Sequence, residues 1–227
     1  MLGTVYQKFS GGCMMVFRRE GEAVQFLGSA FLVHEDGYLL TVSHILPRED
    51  ANLIVVPSSP GNEFTPISHE TVTSVPVNVV RRNHDRDIAL LKMEQEIEMQ
   101  LPDHFIGTAE STIVGNQVMS LGFSFGHQAL HTLMAVSAVT SAKVLSRNES
   151  KILLFDNMIH DGDRGGPLIG VDDGLVIGII NGRFDAASAS QDYTDGSQTV
   201  TAMTNMSYAV AIDYGVELME EEGLKAH

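Results

Sequence analysis

The chain has 227 residues, with 14 lysines and arginines against 29 aspartates and glutamates, and its formal net charge is −15. Such an acidic surface repels polyphosphates, so no nucleic-acid partner is expected. No apolar run approaches the roughly 20 residues that cross a bilayer, so no membrane partner is expected either. The single cysteine, Cys13, cannot form an intramolecular disulfide, and the first twelve residues lack the pattern of a secretory signal. We therefore expect a cytoplasmic protein, or one whose leader has been removed.

Short apolar stretches separated by turn signals run along the chain, and long helical periodicity is absent from most of it. This pattern is typical of a β-barrel or β-sandwich. The triplet Glu35-Asp36-Gly37 predicts a hairpin turn, and residues Asp213 to Leu224 predict a short terminal helix. The predicted strands are Met14–Arg18, Phe26–Val33, Tyr38–Val42, Asn52–Val56, Ile88–Met93, Gln117–Leu121, Ala135–Leu145, Ile152–Phe155, Pro167–Gly170, Leu175–Ile180 and Ser207–Ile212.

Polar and turn residues interrupt the strands between residues 94 and 115. A chain of this length is enough for two small packed barrels. The sequence therefore predicts two domains, residues 1–110 and residues 111–227.

Three segments contain residues suited to chemistry, and their order along the chain matters. The first runs Gly28-Ser-Ala-Phe-Leu-Val and, after a turn, Tyr-Leu-Leu-Thr-Val-Ser-His44. The second is Asp87-Ile-Ala-Leu-Leu-Lys, and the third is Asp161-Gly-Asp-Arg-Gly-Gly-Pro-Leu168. The order of histidine, aspartate and glycine-rich loop is that of chymotrypsin, and it differs from that of subtilisin and the α/β-hydrolases.

These segments resemble the trypsin-like serine proteases, in particular the HtrA-like ones, from about Gly12 to Leu218. The resemblance implies an all-β fold of two six-stranded antiparallel β-barrels, chymotrypsin-like, with a short C-terminal helix. It also implies that the first barrel carries His44 and Asp87, and that the second carries the nucleophile loop, residues 161–168. The third segment departs from the family pattern in one position, because Arg164 stands where the nucleophilic serine belongs.

By this resemblance His44 is the general base and Asp87 the acid that orients it, with Asp85 as the alternative. An acyl-transfer triad needs an imidazole to take the nucleophile's proton and a carboxylate to hold that imidazole in one tautomer. The backbone N–H groups of Gly162 and Arg164 would form the oxyanion hole.

Arginine cannot attack a carbonyl, because its guanidinium stays protonated and offers no lone pair. We therefore expect a catalytically inactive serine endopeptidase domain. Two origins fit: a natural pseudoprotease that binds a peptide or protein, or an active protease that has been inactivated at this position. A third interpretation is an assembly module of a larger protein. The other candidate nucleophiles, Ser124, Ser188 and Ser190, lie outside any Gly-Asp-X-Gly-Gly loop.

Family resemblance places Met158, six residues before the nucleophile position, at the base of the primary specificity pocket. An uncharged, flexible methionine there favours an apolar substrate side chain. Asn181, Gly182 and Arg183 would form the edge of this pocket. The histidines show no metal-binding spacing, so no metal and no cofactor are expected, and the partner is a peptide or protein substrate.

Overall fold

The computed structural model contains two closed β-barrels of six antiparallel strands each within the residues it describes. Strands β1 to β6 form the first barrel in the order β1-β2-β3-β6-β5-β4, and β7 to β12 form the second in the order β10-β11-β12-β9-β8-β7. The all-β, two-barrel fold is therefore confirmed. The structure describes residues 1–48, 52–58, 64, 66–67, 73–95, 101–184 and 205–225.

The strands of the first barrel are β1 (Cys13–Glu20), β2 (Ala23–His34), β3 (Tyr38–Val42), β4 (Leu53–Pro57), β5 (Val75–Asn83) and β6 (Ile88–Met93). Those of the second are β7 (Gln117–Gly122), β8 (Met134–Leu145), β9 (Lys151–Phe155), β10 (Pro167–Gly170), β11 (Val176–Arg183) and β12 (Ser207–Ala211). Two helices, α1 (Leu2–Phe9) and α2 (Asp213–Glu221), lie at the two ends of the described chain. Neither of these helices has the length and apolar character needed to cross a membrane.

The β2–β3 hairpin forms where the sequence predicts it. Gly37 has φ +81°, a conformation that glycine adopts without a Cβ clash, and its N–H donates to the His34 carbonyl. Strand β3 then pairs with β6 in a register that places Val42 opposite Ile88. This register brings the residues just after β3 and just before β6 to one rim of the barrel.

Two elements, helix α1 and strand β5, were not predicted from the sequence, and there is a physical reason for each. Helix α1 is only eight residues long, too short for a 3.6-residue period to stand out, and it is fixed by burying Val5 and Phe9 in the core. Strand β5 contains Pro76 and two consecutive arginines, and much of it is only half-buried, so it lacks the apolar run of a buried strand.

The terminal helix ends at Glu221 and not at Leu224. Gly223 has φ +82°, which closes the helix in the manner of a glycine C-cap. The polar segment between Arg183 and Met206 is rich in Ala, Ser, Thr and Asp and predicts a surface loop, but it falls largely on residues 185–204, outside the described residues.

Contacts between the barrels place the nucleophile loop against β2. The N–H of Ser29 donates to the Arg164 carbonyl at 2.8 Å, and the Ser29 hydroxyl donates to the Gly162 carbonyl at 2.7 Å. The same hydroxyl accepts the N–H of Phe123 at 3.1 Å. One buried serine of the first barrel therefore holds two segments of the second.

Candidate active site

His44 and Asp87 meet at the rim of the first barrel, where His44 lies two residues after β3 and Asp87 directly precedes β6. The Nδ1 atom of His44 lies 2.6 Å from Asp87 Oδ2, and the His44 backbone N–H donates to Asp87 Oδ1 at 2.8 Å. A carboxylate at this distance favours the tautomer in which Nδ1 carries the proton. The other ring nitrogen, Nε2, is then available to accept a proton.

Asp87 receives a third hydrogen bond, from the second barrel. The buried side chain of Asn181 in β11 donates from Nδ2 to Asp87 Oδ2 at 2.7 Å. Family resemblance predicts Asn181 as a residue of the pocket edge, and in the structure its amide donates to the Asp87 carboxylate. The alternative acid, Asp85, is absent from the lining of the cavity that contains His44, and its carbonyl accepts a bond from Asn148.

The nucleophile loop is a tight turn between β9 and β10. Residues Asp161–Asp163 form one turn of 3₁₀ helix, and Gly165 follows with φ +88°. A Cβ at Gly165 would overlap the Ser29 carbonyl and the Thr41 hydroxyl, so only glycine fits between the loop and the first barrel.

The Arg164 side chain forms an ion pair with Asp161 three residues earlier, with Nη2 at 2.9 Å from Oδ1. Its backbone N–H, one of the two predicted oxyanion donors, donates to the Asp161 carbonyl at 3.4 Å. This long bond closes the 3₁₀ turn. In this conformation the amide would have to exchange that weak bond for a bond to an oxyanion. The other predicted donor residue, Gly162, is buried.

Asp163 is a buried carboxylate beneath the loop. Its Oδ1 accepts the Ser124 hydroxyl at 2.7 Å, and its Oδ2 accepts the His160 N–H at 2.8 Å. Burial raises the pKa of Asp163 above its usual range, and the Ser124 hydrogen bond partly opposes this rise. Ser124 is therefore a buried partner of Asp163 and does not line the cavity of His44. Ser188 and Ser190 lie outside the described residues.

A cavity of about 620 Å³ contains the predicted base, its acid and the nucleophile position. It also contains the predicted pocket-edge residues Asn181 to Arg183. Two lining residues, Asp161 and Tyr208, were not predicted as site residues. The pairing of Tyr208 with Gly182 in adjacent strands places Tyr208 there, and no local motif marks it. The cavity is lined by His44, Asp87, Asp161, Arg164, Asn181, Gly182, Arg183 and Tyr208.

Met158 does not line this cavity in the structure. Met158 is 40% exposed, and the chain enters the 3₁₀ helix three residues later, at Asp161. Its expected place at the base of a specificity pocket therefore remains a prediction. Among the residues that the structure describes, no group of three or more histidines, cysteines or acids could hold a metal ion.

The chain matches the sequence model of a known protein family. The sequence model of the trypsin-like peptidase domain matches residues 28–179. A protein of Pseudomonas fulva named probable periplasmic serine endoprotease DegP-like is 34% identical over 164 residues, which are 71% of this chain and 30% of that protein. A protein of the same name from Hahella chejuensis is 28% identical over 206 residues, 90% of this chain and 37% of that one. The chain thus spans about a third of the length of these curated relatives.

Solved structures agree with the fold. The HtrA-type protease AlgW, solved with a decapeptide, superposes with a TM-score of 0.70 at 16% sequence identity and covers 97% of this chain and 67% of that chain. A second structure of this protease, with a tripeptide, has a TM-score of 0.68 at 18% identity and covers 99% of this chain and 65% of that chain. At these identities the likeness is one of fold.

The prediction of a cytoplasmic protein is wrong. The curated relatives from Pseudomonas fulva and Hahella chejuensis are named as periplasmic endoproteases. The lack of an intramolecular disulfide in this chain does not indicate a reducing compartment. A chain with one cysteine, Cys13, cannot form such a bond in any compartment.

Proposed function

Since the chain belongs to the family of trypsin-like peptidase domains, we propose that it is a serine-protease domain in which Arg164 prevents peptide-bond hydrolysis. In this proposal His44 is the base and Asp87 its orienting acid. The relatives are DegP-like endoproteases, and their compartment suggests a periplasmic location for this chain too. The division into residues 1–110 and 111–227 stays a prediction.

The observation that carries the proposal is the residue at the nucleophile position. The His44–Asp87 pair is supported by a 2.6 Å contact and a second bond to the backbone. Arg164 shares their cavity and offers no group that can attack a carbonyl. Loss of the nucleophile lowers kcat on the order of a millionfold in enzymes of this chemistry.

A second candidate function is peptide or protein binding by the vestigial crevice. The Arg164–Asp161 ion pair at 2.9 Å favours it, because the cation has a partner in its own loop and leaves the His44–Asp87 contact in place.

The test restores the nucleophile with Arg164→Ser and measures labelling by a fluorophosphonate together with hydrolysis of unfolded casein. We expect no labelling of the unchanged chain, and labelling of the Arg164→Ser variant that is abolished when His44→Ala is added. Hydrolysis by the unchanged chain that depends on His44 would contradict the proposal. A folded Arg164→Ser variant that is not labelled would show that more than the nucleophile is missing.

A further inference from the structure

The cavity offers a ligand few unpaired acceptors among the residues described. Both oxygens of Asp87 are occupied, since they accept bonds from His44 and Asn181. The other carboxylate, Asp161, is paired with Arg164. Its side chain is 69% exposed, and ion pairs this exposed contribute little to stability, so an incoming anion can replace it.

Donors are in excess on the same wall. Arg164 has five N–H groups and, among the described residues, one ion pair. Arg183 donates its Nε–H to the Ile159 carbonyl at 2.9 Å, and among the described residues its terminal amino groups make no hydrogen bond. The Tyr208 hydroxyl makes no hydrogen bond within the described part of the chain. Burial and the charge of Asp87 raise the pKa of Tyr208, so the phenol keeps its proton as a donor.

The charge of the cavity differs from that of the molecule. Two arginines balance two aspartates in its lining, for a formal charge of zero with neutral His44, whereas the whole chain carries −15. An anionic group is therefore repelled less here than over the average surface. A planar guanidinium also matches a carboxylate in geometry, because it can donate two parallel hydrogen bonds.

The backbone beside these donors suits an extended peptide. Strand β11 pairs with β12 as far as Arg183, but its pairing with β10 begins at Pro167 opposite Ile179. On the side that faces β10, the backbone of residues 181–183 at the end of β11 is therefore not paired with that strand. This unpaired edge borders the cavity. An exposed strand edge binds extended peptides through backbone hydrogen bonds.

We infer that this cavity binds a peptide through a carboxylate of that peptide. The carboxylate forms an ion pair with Arg164 and accepts a hydrogen bond from the Tyr208 hydroxyl. The inference rests on the peptide-binding crevice of the proposed function and adds the chemical class of its ligand. The carboxylate comes from the C-terminus of the peptide or from an acidic side chain. These two sources share one chemistry and are separated by experiment.

The experiment measures binding of N-acetylated pentapeptide mixtures, randomised at four positions, by NMR titration of the 15N-labelled chain. One mixture ends in a free carboxylate, a second in an amide, and two further amide mixtures carry a central Glu or Gln. We expect the free-acid mixture to bind about tenfold more tightly than the amide mixture, or the Glu mixture about tenfold more tightly than the Gln mixture. Binding should change the NMR chemical shifts of the Gly182 and Arg183 backbone amides. A preference for the free acid identifies a C-terminal ligand, and a preference for Glu over Gln identifies a side chain.

Single substitutions test whether Arg164 is the residue responsible for the carboxylate preference. Arg164→Gln should remove it, Arg164→Lys should keep part of it, and Arg19→Gln, an exposed arginine on β1 outside the cavity lining, should leave it unchanged. If Arg164→Gln fails to fold, Tyr208→Phe tests the same site and should weaken the preference. Equal binding of acid and amide, no binding at millimolar peptide, or a preference that survives Arg164→Gln would each overturn the inference.

Failure of this inference and failure of the proposed function give different results. Carboxylate binding without fluorophosphonate labelling of the Arg164→Ser variant would contradict the proposed loss of activity at one residue and support the binding site. Labelling of the Arg164→Ser variant without any carboxylate preference would support the proposed loss of activity at one residue and contradict the carboxylate-binding site.

Discussion

Asn181 Nδ2 donates to Asp87 Oδ2 at 2.7 Å, and this bond joins the second barrel to the acid of the first. Asp87 has φ +55°, a conformation that is uncommon for a residue with a side chain and is tolerated best by Asn and Asp. Its carbonyl also accepts the Ser43 N–H at 3.1 Å. The orientation of His44 therefore depends on both barrels.

Removing the Asn181 amide should impair catalysis in the Arg164→Ser background. A hydrogen bond to a charged group contributes about 1.5 to 3 kcal/mol, so Asn181→Ala should lower kcat by about tenfold or more with a smaller change in KM. Steady-state kinetics on a peptide ester measure both. The control is Asn78→Ala, which removes an exposed amide that bonds to Glu94 away from the cavity. An unchanged kcat in Asn181→Ala would show that the bond does not position the acid.

Asp163 should titrate above its usual pKa of 3.8, because burial disfavours its charged form. The Ser124 hydroxyl lowers this pKa, so Ser124→Ala should raise it further. A 13C NMR titration of the Asp163 carboxyl gives both midpoints. Ser141→Ala, an exposed serine whose hydroxyl bonds to a backbone carbonyl, is the control and should change nothing. A midpoint at or below 3.8 in the unchanged chain would refute the expected shift.

The raised pKa of Asp163 also sets the sign of a pH effect on stability. Between 3.8 and the raised folded-state pKa, the native protein binds more protons at this carboxyl than the unfolded chain. The contribution of Asp163 to the free energy of unfolding therefore decreases as pH rises through this window. Asp163→Asn should remove that component, and urea unfolding at several pH values measures it. If the free energy of unfolding depends on pH identically in the unchanged chain and in Asp163→Asn, the predicted contribution of Asp163 is contradicted.

Gly165→Ala should destabilise the fold by at least about 2 kcal/mol, because it combines a positive φ with overlap against Ser29 and Thr41. Gly21→Ala is a matched control: Gly21 has φ +63°, but an added Cβ there meets nothing within 4 Å. It should cost about 1 kcal/mol. Urea denaturation measures both free energies of unfolding, and equal values would show that the loop tolerates the added methyl group.

Cys13 should be inert to thiol reagents in the folded protein. Burial raises the pKa of the Cys13 thiol to about 12, and its sulfur lies 3.5 Å from the Phe9 carbonyl. Since the thiolate is the reactive form, labelling by a disulfide reagent at pH 8 should be about a thousandfold slower, or more, than in the chain unfolded by urea. Absorbance of the released thiolate gives both rates. Fast labelling with an unchanged circular dichroism spectrum would rule out the buried thiol.

The sequence by itself determined the described strands other than β5, the order of the three motifs and the departure at Arg164. These features are local: apolar alternation, glycine turns and a loop of Gly-Asp-X-Gly-Gly are visible in neighbouring residues. The fold class followed from them through family resemblance. Helix α1 and strand β5 were missed because their burial depends on what packs against them.

Only the tertiary structure decided which side chains meet across the barrels. Asn181 lies 94 positions from Asp87, and Tyr208 enters the cavity through its pairing with Gly182. Similarly, the Ser29 hydroxyl receives the Phe123 N–H and contacts the Gly162 carbonyl 133 positions away. Contacts at such separations are set by barrel closure and strand register, which depend on the whole chain, so no local pattern of residues encodes them.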